Sequence, residues 1–108
     1  MHVIRAQQVF DGGRFLGPGD VVLDRSSIVS VNAPTEYAAD VGVEDLGEVT
    51  VLPGLVDAHQ HVSWDCSTDI VGWHELHDDE ALLERARTNA RQSLAAGITT
   101  VRDLGGRG

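Results

Sequence analysis

The sequence has a single cysteine, few basic residues and no long apolar run. Because Cys66 is the only cysteine, no disulfide can form within the chain. The 108 residues include 8 Lys and Arg against 17 Asp and Glu, giving a net charge of −9, and this balance gives no sign of a nucleic-acid-binding surface. No apolar run approaches the ~20 residues of a membrane span, and the first seven residues do not form a signal peptide. These absences favour a cytoplasmic protein with neither nucleic-acid nor membrane partners.

The first 53 residues are predicted to form a small unit of β-strands. A turn is predicted at 11–13, and Gly17-Pro18-Gly19-Asp20 is a strong second turn signal. The strands at 21–23 and 28–31 are expected to form a hairpin. Short strands are predicted at 2–5, 9–10, 21–23, 28–31, 43–46 and 49–52.

A strand, a helix and a second strand are predicted in the rest of the chain. Residues 55–58, which are apolar except for Asp57, indicate a buried parallel strand, and a long polar loop is expected over 62–77. Asp78 or Asp79 can cap a helix over about residues 80–96, which Gly97 would end. The strand at 98–103 then completes a right-handed βαβ unit, and residues 105–108 form the loop that leaves it. The buried face of the helix is predicted from helical spacing to contain Leu83, Ala86, Ala90 and Leu94.

Two histidines at the end of the first of these strands are the main candidates for chemistry. Residues 53–61 read Pro-Gly-Leu-Val-Asp-Ala-His-Gln-His. Side chains alternate along a strand, so His59 and His61 point to the same side. Neutral imidazole is the commonest metal ligand in proteins, so the pair can clamp a divalent ion. The alternative for an isolated pair is two exposed or hydrogen-bonded histidines.

This stretch resembles the first barrel strand of the metal-dependent amidohydrolases, whose signature is Pro-Gly-[Leu/Phe]-[Ile/Val]-Asp-x-His-x-His. Gly-Ile-Thr-Thr-Val-Arg-Asp at 97–103 resembles the second barrel strand of the imidazolonepropionase-like and Xaa-Pro-dipeptidase-like branch. The resemblance implies that 1–53 is the N-terminal part of a composite β-sandwich and that 54–108 is the first βαβ unit of a (β/α)8 TIM barrel. A complete barrel needs ~250 residues, so the expected fold class is α/β with a small β-sandwich part and an incomplete, truncated barrel.

The resemblance also implies a chemistry. His59 and His61 would bind a divalent metal, with zinc expected and one or two ions in a complete enzyme. The reaction would be hydrolysis of a C–N bond in a cyclic amide, an N-acyl compound or a Xaa-Pro-type dipeptide by metal-activated water. The family's other ligands and its general base come from later strands, so this segment contains no catalytic residue. The isolated chain is expected to be inactive and to bind metal weakly or not at all.

Several other residues near the histidine pair are weaker candidates. Asp57 either orients a histidine or makes a structural hydrogen bond to nearby backbone, and Asp103 is a candidate for a role beside the metal ligands or at the substrate. His74 and His77 are three residues apart, whereas a zincin helix needs four, so no metal site is predicted there. The predicted loop over 62–77 also contains Trp64 and Trp73. Each of them either lines a lid over the substrate or has only a packing role.

Two further classes of protein fit the sequence. One is a non-catalytic structural or assembly module that retains a relic of the His-x-His motif, and the other is a small metal-binding protein that uses His59 and His61. A two-strand slice of a parallel barrel has open edges and uncovered faces. The chain is therefore expected to form a homo-oligomer or to pair with a missing C-terminal partner segment.

Overall fold

The structure is a computed structural model that describes residues 1–106. Arg107 and Gly108, which belong to the predicted final loop, lie outside the described residues. The fold is mixed α/β, as expected, and it divides into two compact units, one over Met1–Pro53 and one that begins at Gly54. The identities proposed for these parts, a sandwich portion and the start of a barrel, remain predictions. Within the described residues, no helix combines the length and the apolar character that crossing a membrane requires.

The first unit is one five-stranded sheet. Its strands are β1 His2–Phe10, β2 Phe15–Asp24, β3 Ser27–Asn32, β4 Gly42–Asp45 and β5 Thr50–Val51. Strands β1 and β2 are antiparallel, β2 and β3 form the predicted hairpin, and β1 also pairs in parallel with β4 and β5. The buried residues lie mainly on β1 and β2, where Val3, Val9 and Val22 are among the core side chains.

The predicted turn at 17–20 is wrong, because these residues lie inside β2. Pro18 is tolerated because this part of β2 pairs only with β1, and pairing with β3 begins at Asp20. Gly19 is required by close packing, since a Cβ at this position would lie 2.9 Å from Val9 Cγ2. The turn at 11–13 is confirmed, and it is closed by a hydrogen bond from the Asp11 amide to the Arg14 carbonyl.

Asp20 is a fully buried carboxylate paired with Arg5 across β1 and β2. Arg5 donates through Nε to Oδ1 at 2.7 Å and through Nη2 to Oδ2 at 2.8 Å. The Thr35 amide donates to Oδ2 at 3.1 Å, and Arg5 also donates to the Thr35 carbonyl. The pair therefore fastens the segment after β3 to the sheet.

The second unit is a βαβ arrangement. Strand β6 spans Leu55–Gln60, β7 spans Ile98–Asp103, and the two are parallel, as predicted. Helix α2 spans Asp79–Ala95 between them, with Asp78 as its N-cap through a 2.9 Å bond from the Ala81 amide.

Three expectations for this unit are corrected. The loop predicted over 62–77 contains a short helix, α1, over Ile70–Leu76. The predicted buried face of α2 is wrong, because Leu82 is the buried residue at 4% exposure whereas Leu83 is 51% exposed and Leu94 is also exposed. The strand predicted as buried is also largely exposed, with Val56 at 69%. The last two corrections have one reason, which is that a sheet of only two strands is too narrow to cover a whole helix stripe or to be covered on both faces.

Candidate metal centre

The two candidate ligands lie together at the carboxyl end of β6. His59 is within the strand, and His61 follows its last residue. Their ring centroids are 5.4 Å apart, with the planes at 73°. The alternation of side chains along the strand thus brings both imidazoles to one place, as the sequence predicted.

The ring of His61 has one hydrogen-bonding partner in the loop after β7. Nδ1 lies 3.0 Å from the carbonyl oxygen of Gly105. A carbonyl only accepts, so Nδ1 carries the proton and the neutral ring keeps its lone pair on Nε2. This is the arrangement in which a histidine can bind a metal through Nε2 while its other nitrogen is held by the protein.

The face of the His61 ring is covered by Trp64. The two ring centroids are 3.9 Å apart, and the planes are within 8° of parallel. Trp64 follows a tight turn in which its amide donates to the His61 carbonyl at 3.2 Å. The sequence suggested either a lid or a packing role for this tryptophan, and its contact with a candidate ligand was not foreseen.

A residue of helix α2 binds the turn between His61 and Trp64. Asn89 donates through Nδ2 to the Val62 carbonyl at 2.8 Å and to the Trp64 carbonyl at 2.7 Å. One strand residue is tied to the helix in a similar way, because the side-chain amide of Gln60 donates to Ser93 Oγ at 2.7 Å. No local sequence signal marks Asn89, since its partners lie more than twenty residues away along the chain.

Asp57 and Asp103 both shape the backbone around the histidines. Oδ1 of Asp57 accepts from the His59 amide at 3.0 Å, which is the structural hydrogen bond considered as one of its two roles. Oδ1 of Asp103 accepts from the Gly105 amide at 3.0 Å. Asp103 therefore supports the residue whose carbonyl holds His61.

An open cleft lies beside these residues. It has a volume of about 760 Å³, and Asp103 contributes to its wall together with apolar side chains of α2. The apolar side chains include Leu82 and Leu83, and the lining also contains Val62, Ser63, Gly105 and Gly106. The cleft therefore reaches Val62, which follows His61 in the chain, and Gly105, whose carbonyl binds the His61 ring.

The loop between the histidine pair and α1 contains the free thiol. Cys66 is exposed and has a left-handed backbone, with φ at 60°. Next to it, burial opposes ionisation of Asp65, but hydrogen bonds from the amide and hydroxyl of Ser67 outweigh this and keep the pKa of Asp65 below its usual value.

His74 and His77 lie on α1 and at its C-cap rather than in a loop. His77 stacks on Trp73, with centroids 4.1 Å apart, and its Nδ1 lies 2.7 Å from the Trp73 carbonyl. His74 Nε2 lies 3.5 Å from Ser63 Oγ. The missed signal was Asp69, whose carboxylate accepts from the Gly72 amide and caps the helix.

The described residues fit two positions of a metal site and no more. Over residues 1–106, no group of three or more His, Cys, Asp or Glu side chains converges as a possible metal site. Working zinc sites use three or four protein ligands. A metal bound by His59 and His61 would therefore need at least one further ligand.

Three solved structures that are similar to this chain are much longer than it is. A prolidase complexed with N-methylphosphonate-L-proline is 27% identical, with a TM-score of 0.83 over 96% of this chain and 26% of its own. Atrazine chlorohydrolase from Arthrobacter aurescens TC1, complexed with zinc, is 27% identical, with a TM-score of 0.77 over 95% of this chain and 28% of its own. A Xaa-Pro dipeptidase with methionine bound in its active site is 24% identical, with a TM-score of 0.78 over 96% of this chain and 26% of its own, and this likeness concerns the fold alone. The chain thus spans about a quarter of the length of each.

Comparison with protein families shows which family this chain belongs to. A search among curated proteins found no match. The model of the amidohydrolase family, in contrast, matches residues 50–108, which is more than half of the sequence and includes both histidines of the pair. The chain therefore belongs to the amidohydrolase family.

Proposed function

We propose that this chain is the N-terminal portion of a metal-dependent hydrolase that cleaves C–N bonds. The substrate class is a cyclic amide, an N-acyl compound or a Xaa-Pro-type dipeptide. Family membership and the likeness to a prolidase and to a zinc-containing hydrolase support this proposal. The observation that carries it is the pair His59 and His61, whose rings lie together at the end of β6 with the Nε2 of His61 free of the Gly105 carbonyl.

The proposal assigns the βαβ arrangement of β6, α2 and β7 to the start of a (β/α)8 barrel. In such barrels the active site lies at the carboxyl ends of the strands. His59 and His61 lie at that end of β6, and Asp103 is the last residue of β7. The sheet of residues 1–53 would be one part of a sandwich that other segments complete.

In this assignment His59 and His61 would hold a divalent metal, with zinc the expected ion. A bound ion would lower the pKa of a water molecule and would polarise the carbonyl of the substrate. The chain's own residues bind and orient. Asp57 holds the backbone of His59, Asp103 holds the loop that fixes His61, and the cleft beside Asp103 receives substrate. The general base and the remaining ligands come from outside the described residues, so turnover requires further strands.

One alternative is favoured by a specific observation. The described residues bring no third metal ligand to the pair, which suits a structural or assembly module that retains the motif without using it. Such a module would keep the fold of the family, and changes at His59 or His61 would leave its role untouched.

A chimera distinguishes the two proposals. This chain replaces the matching segment of the prolidase, and the product is assayed with Zn²⁺ on Xaa-Pro dipeptides, N-acyl amino acids and cyclic amides. The hydrolase proposal expects zinc-dependent hydrolysis of at least one class that His59→Ala or His61→Ala abolishes. His77→Ala is the matched control, because His77 is also stacked on a tryptophan but lies at the C-cap of α1, and it should leave hydrolysis unchanged. Hydrolysis and zinc content that survive both changes at the pair would favour the module.

A further inference from the structure

The orientation of the His61 ring is not set by the strand that precedes it. Gln60 is the last residue of β6 and pairs with Asp103, and the Leu104 amide closes the ladder on the Gln60 carbonyl at 3.0 Å. His61 lies beyond that ladder. A ligand at such a position needs side-chain or loop contacts to fix its plane, because backbone pairing no longer constrains it.

Two contacts meet this need directly. The indole of Trp64 covers one face of the imidazole at a centroid distance of 3.9 Å, and the Gly105 carbonyl binds Nδ1 at 3.0 Å. The stacking fixes the plane of the ring, and the hydrogen bond fixes which nitrogen is protonated. Neither contact involves Nε2, so its lone pair is left for a metal.

Trp64 is itself fixed by a residue of α2. The side-chain amide of Asn89 donates two hydrogen bonds, one to the Val62 carbonyl at 2.8 Å and one to the Trp64 carbonyl at 2.7 Å. These carbonyls belong to the turn that folds Trp64 back over His61. Because Asn89 holds both carbonyls, the turn is fixed, and the turn positions the indole of Trp64.

We propose that Trp64 and Asn89 form a clamp that holds the His61 ring with Nε2 facing the metal position. Both are positioning residues that act through His61. The relevance of the clamp to metal binding rests on the proposed function, whereas the holding of the ring does not. Loss of a group that orients a metal-binding histidine typically weakens metal affinity by about 10- to 100-fold.

The chain contains a matched control for this clamp. Trp73 and His77 also stack, with centroids 4.1 Å apart, but Trp73 is four residues before His77 and the stack closes the end of α1. If tryptophan stacking had only a general packing effect, changes at Trp64 and Trp73 would act alike on His61.

The test is NMR of the imidazole rings in the 108-residue chain, with Zn²⁺ alone as the probe. In the unchanged chain His61 should show a proton on Nδ1 and a ring-current shift from Trp64. Trp64→Leu, which keeps bulk without an aromatic face, should remove both signatures and weaken Zn²⁺ binding by about tenfold or more. Trp64→Phe should restore them, since a phenyl ring can also stack, and Trp73→Leu should leave them unchanged. Asn89→Ala should change the His61 signatures and the Zn²⁺ affinity in the same direction as Trp64→Leu does.

Either of two results would overturn the clamp. One is an unchanged His61 tautomer and Zn²⁺ affinity in folded Trp64→Leu and Asn89→Ala chains, and the other is an equal effect of Trp73→Leu. If Trp64→Leu fails to fold, the comparison of Asn89→Ala with Trp64→Phe decides. Failure of the proposed function looks different: the His61 signatures would still depend on Trp64 and Asn89 in a chain that shows no response to Zn²⁺.

Discussion

The guanidinium of Arg5 faces the carboxylate of Asp20 in a two-point ion pair, with both N–O distances below 3 Å and Asp20 fully buried. The two residues are neighbours on adjacent strands, where Arg5 pairs with Asp20 in the register of β1 and β2. The same carboxylate accepts from the Thr35 amide, so one acidic side chain connects β1, β2 and the segment that follows β3. This pair gives the first unit a defined response to acid.

We expect the first unit to lose stability in acid through Asp20. The hydrogen bonds from Arg5 outweigh the burial of the carboxylate and keep its pKa below the ordinary 3.8. A lowered pKa in the folded state stabilises the fold at pH values above 3.8, and this contribution disappears as the pH falls through the lower folded-state value. Asp20→Asn should cost about 3 kcal/mol near neutral pH. The difference from the unchanged chain should shrink as the pH falls below about 4.

Urea unfolding at a series of pH values measures this effect. Asp24→Asn is the control, because Asp24 is exposed at the end of the same strand and its change should have little effect. A free-energy difference for Asp20→Asn that is independent of pH would show that the ion pair is not the source of the stability.

Gly54 is expected to be irreplaceable for a steric reason. A Cβ on this glycine would overlap the side chain of Thr99 on β7, so β6 begins where only glycine fits. Gly54→Ala should cost about 2 kcal/mol through overpacking. Combining it with Thr99→Gly should cost less than the sum of the two single changes, because the overlap is then relieved.

A double-mutant cycle by urea unfolding tests this. Gly13→Ala is the control, since the nearest atom to its added Cβ is Asp11 Oδ1 at an ordinary 3.5 Å. Strict additivity of the Gly54 and Thr99 changes would mean that close approach is not the reason for the glycine.

The chain by itself is expected to associate with other copies. Val56 and Val101 are exposed apolar residues on the two-stranded sheet, and open strand edges favour pairing. Sedimentation velocity should show a dimer or a larger species. Val56→Lys should shift the distribution toward monomer, whereas Leu76→Lys at the end of α1 should not. A compact monomer at every concentration would contradict this prediction.

Local sequence signals predicted the elements that local chemistry determines. Asp78 and Gly97 mark the two ends of α2, and the structure has its N-cap at the first and a left-handed φ of +89° at the second. The spacing of His59 and His61 likewise predicted their common location. These features depend on residues within a few positions of one another.

The features that escaped prediction depend on residues far apart in the sequence. Gly17-Pro18-Gly19 reads as a turn locally, but pairing with β1 keeps it in a strand. The contact of Asn89 with the Trp64 turn and that of Gly105 with His61 join segments more than twenty residues apart, and no sequence period marks them. The helix α1 was missed because seven residues with an internal glycine give a weak helical signal.

Zinc binding by the chain tests the role of His59 and His61 most directly. We expect calorimetric titration of the 108-residue chain to show one Zn²⁺ bound more weakly than about 1 µM, because two histidines are fewer than the three or four ligands of a working site. His59→Ala or His61→Ala should abolish the binding, and His77→Ala should not. Sub-micromolar affinity would show that the site is complete without further strands, and binding that survives the loss of both His59 and His61 would show that this pair is not the metal centre.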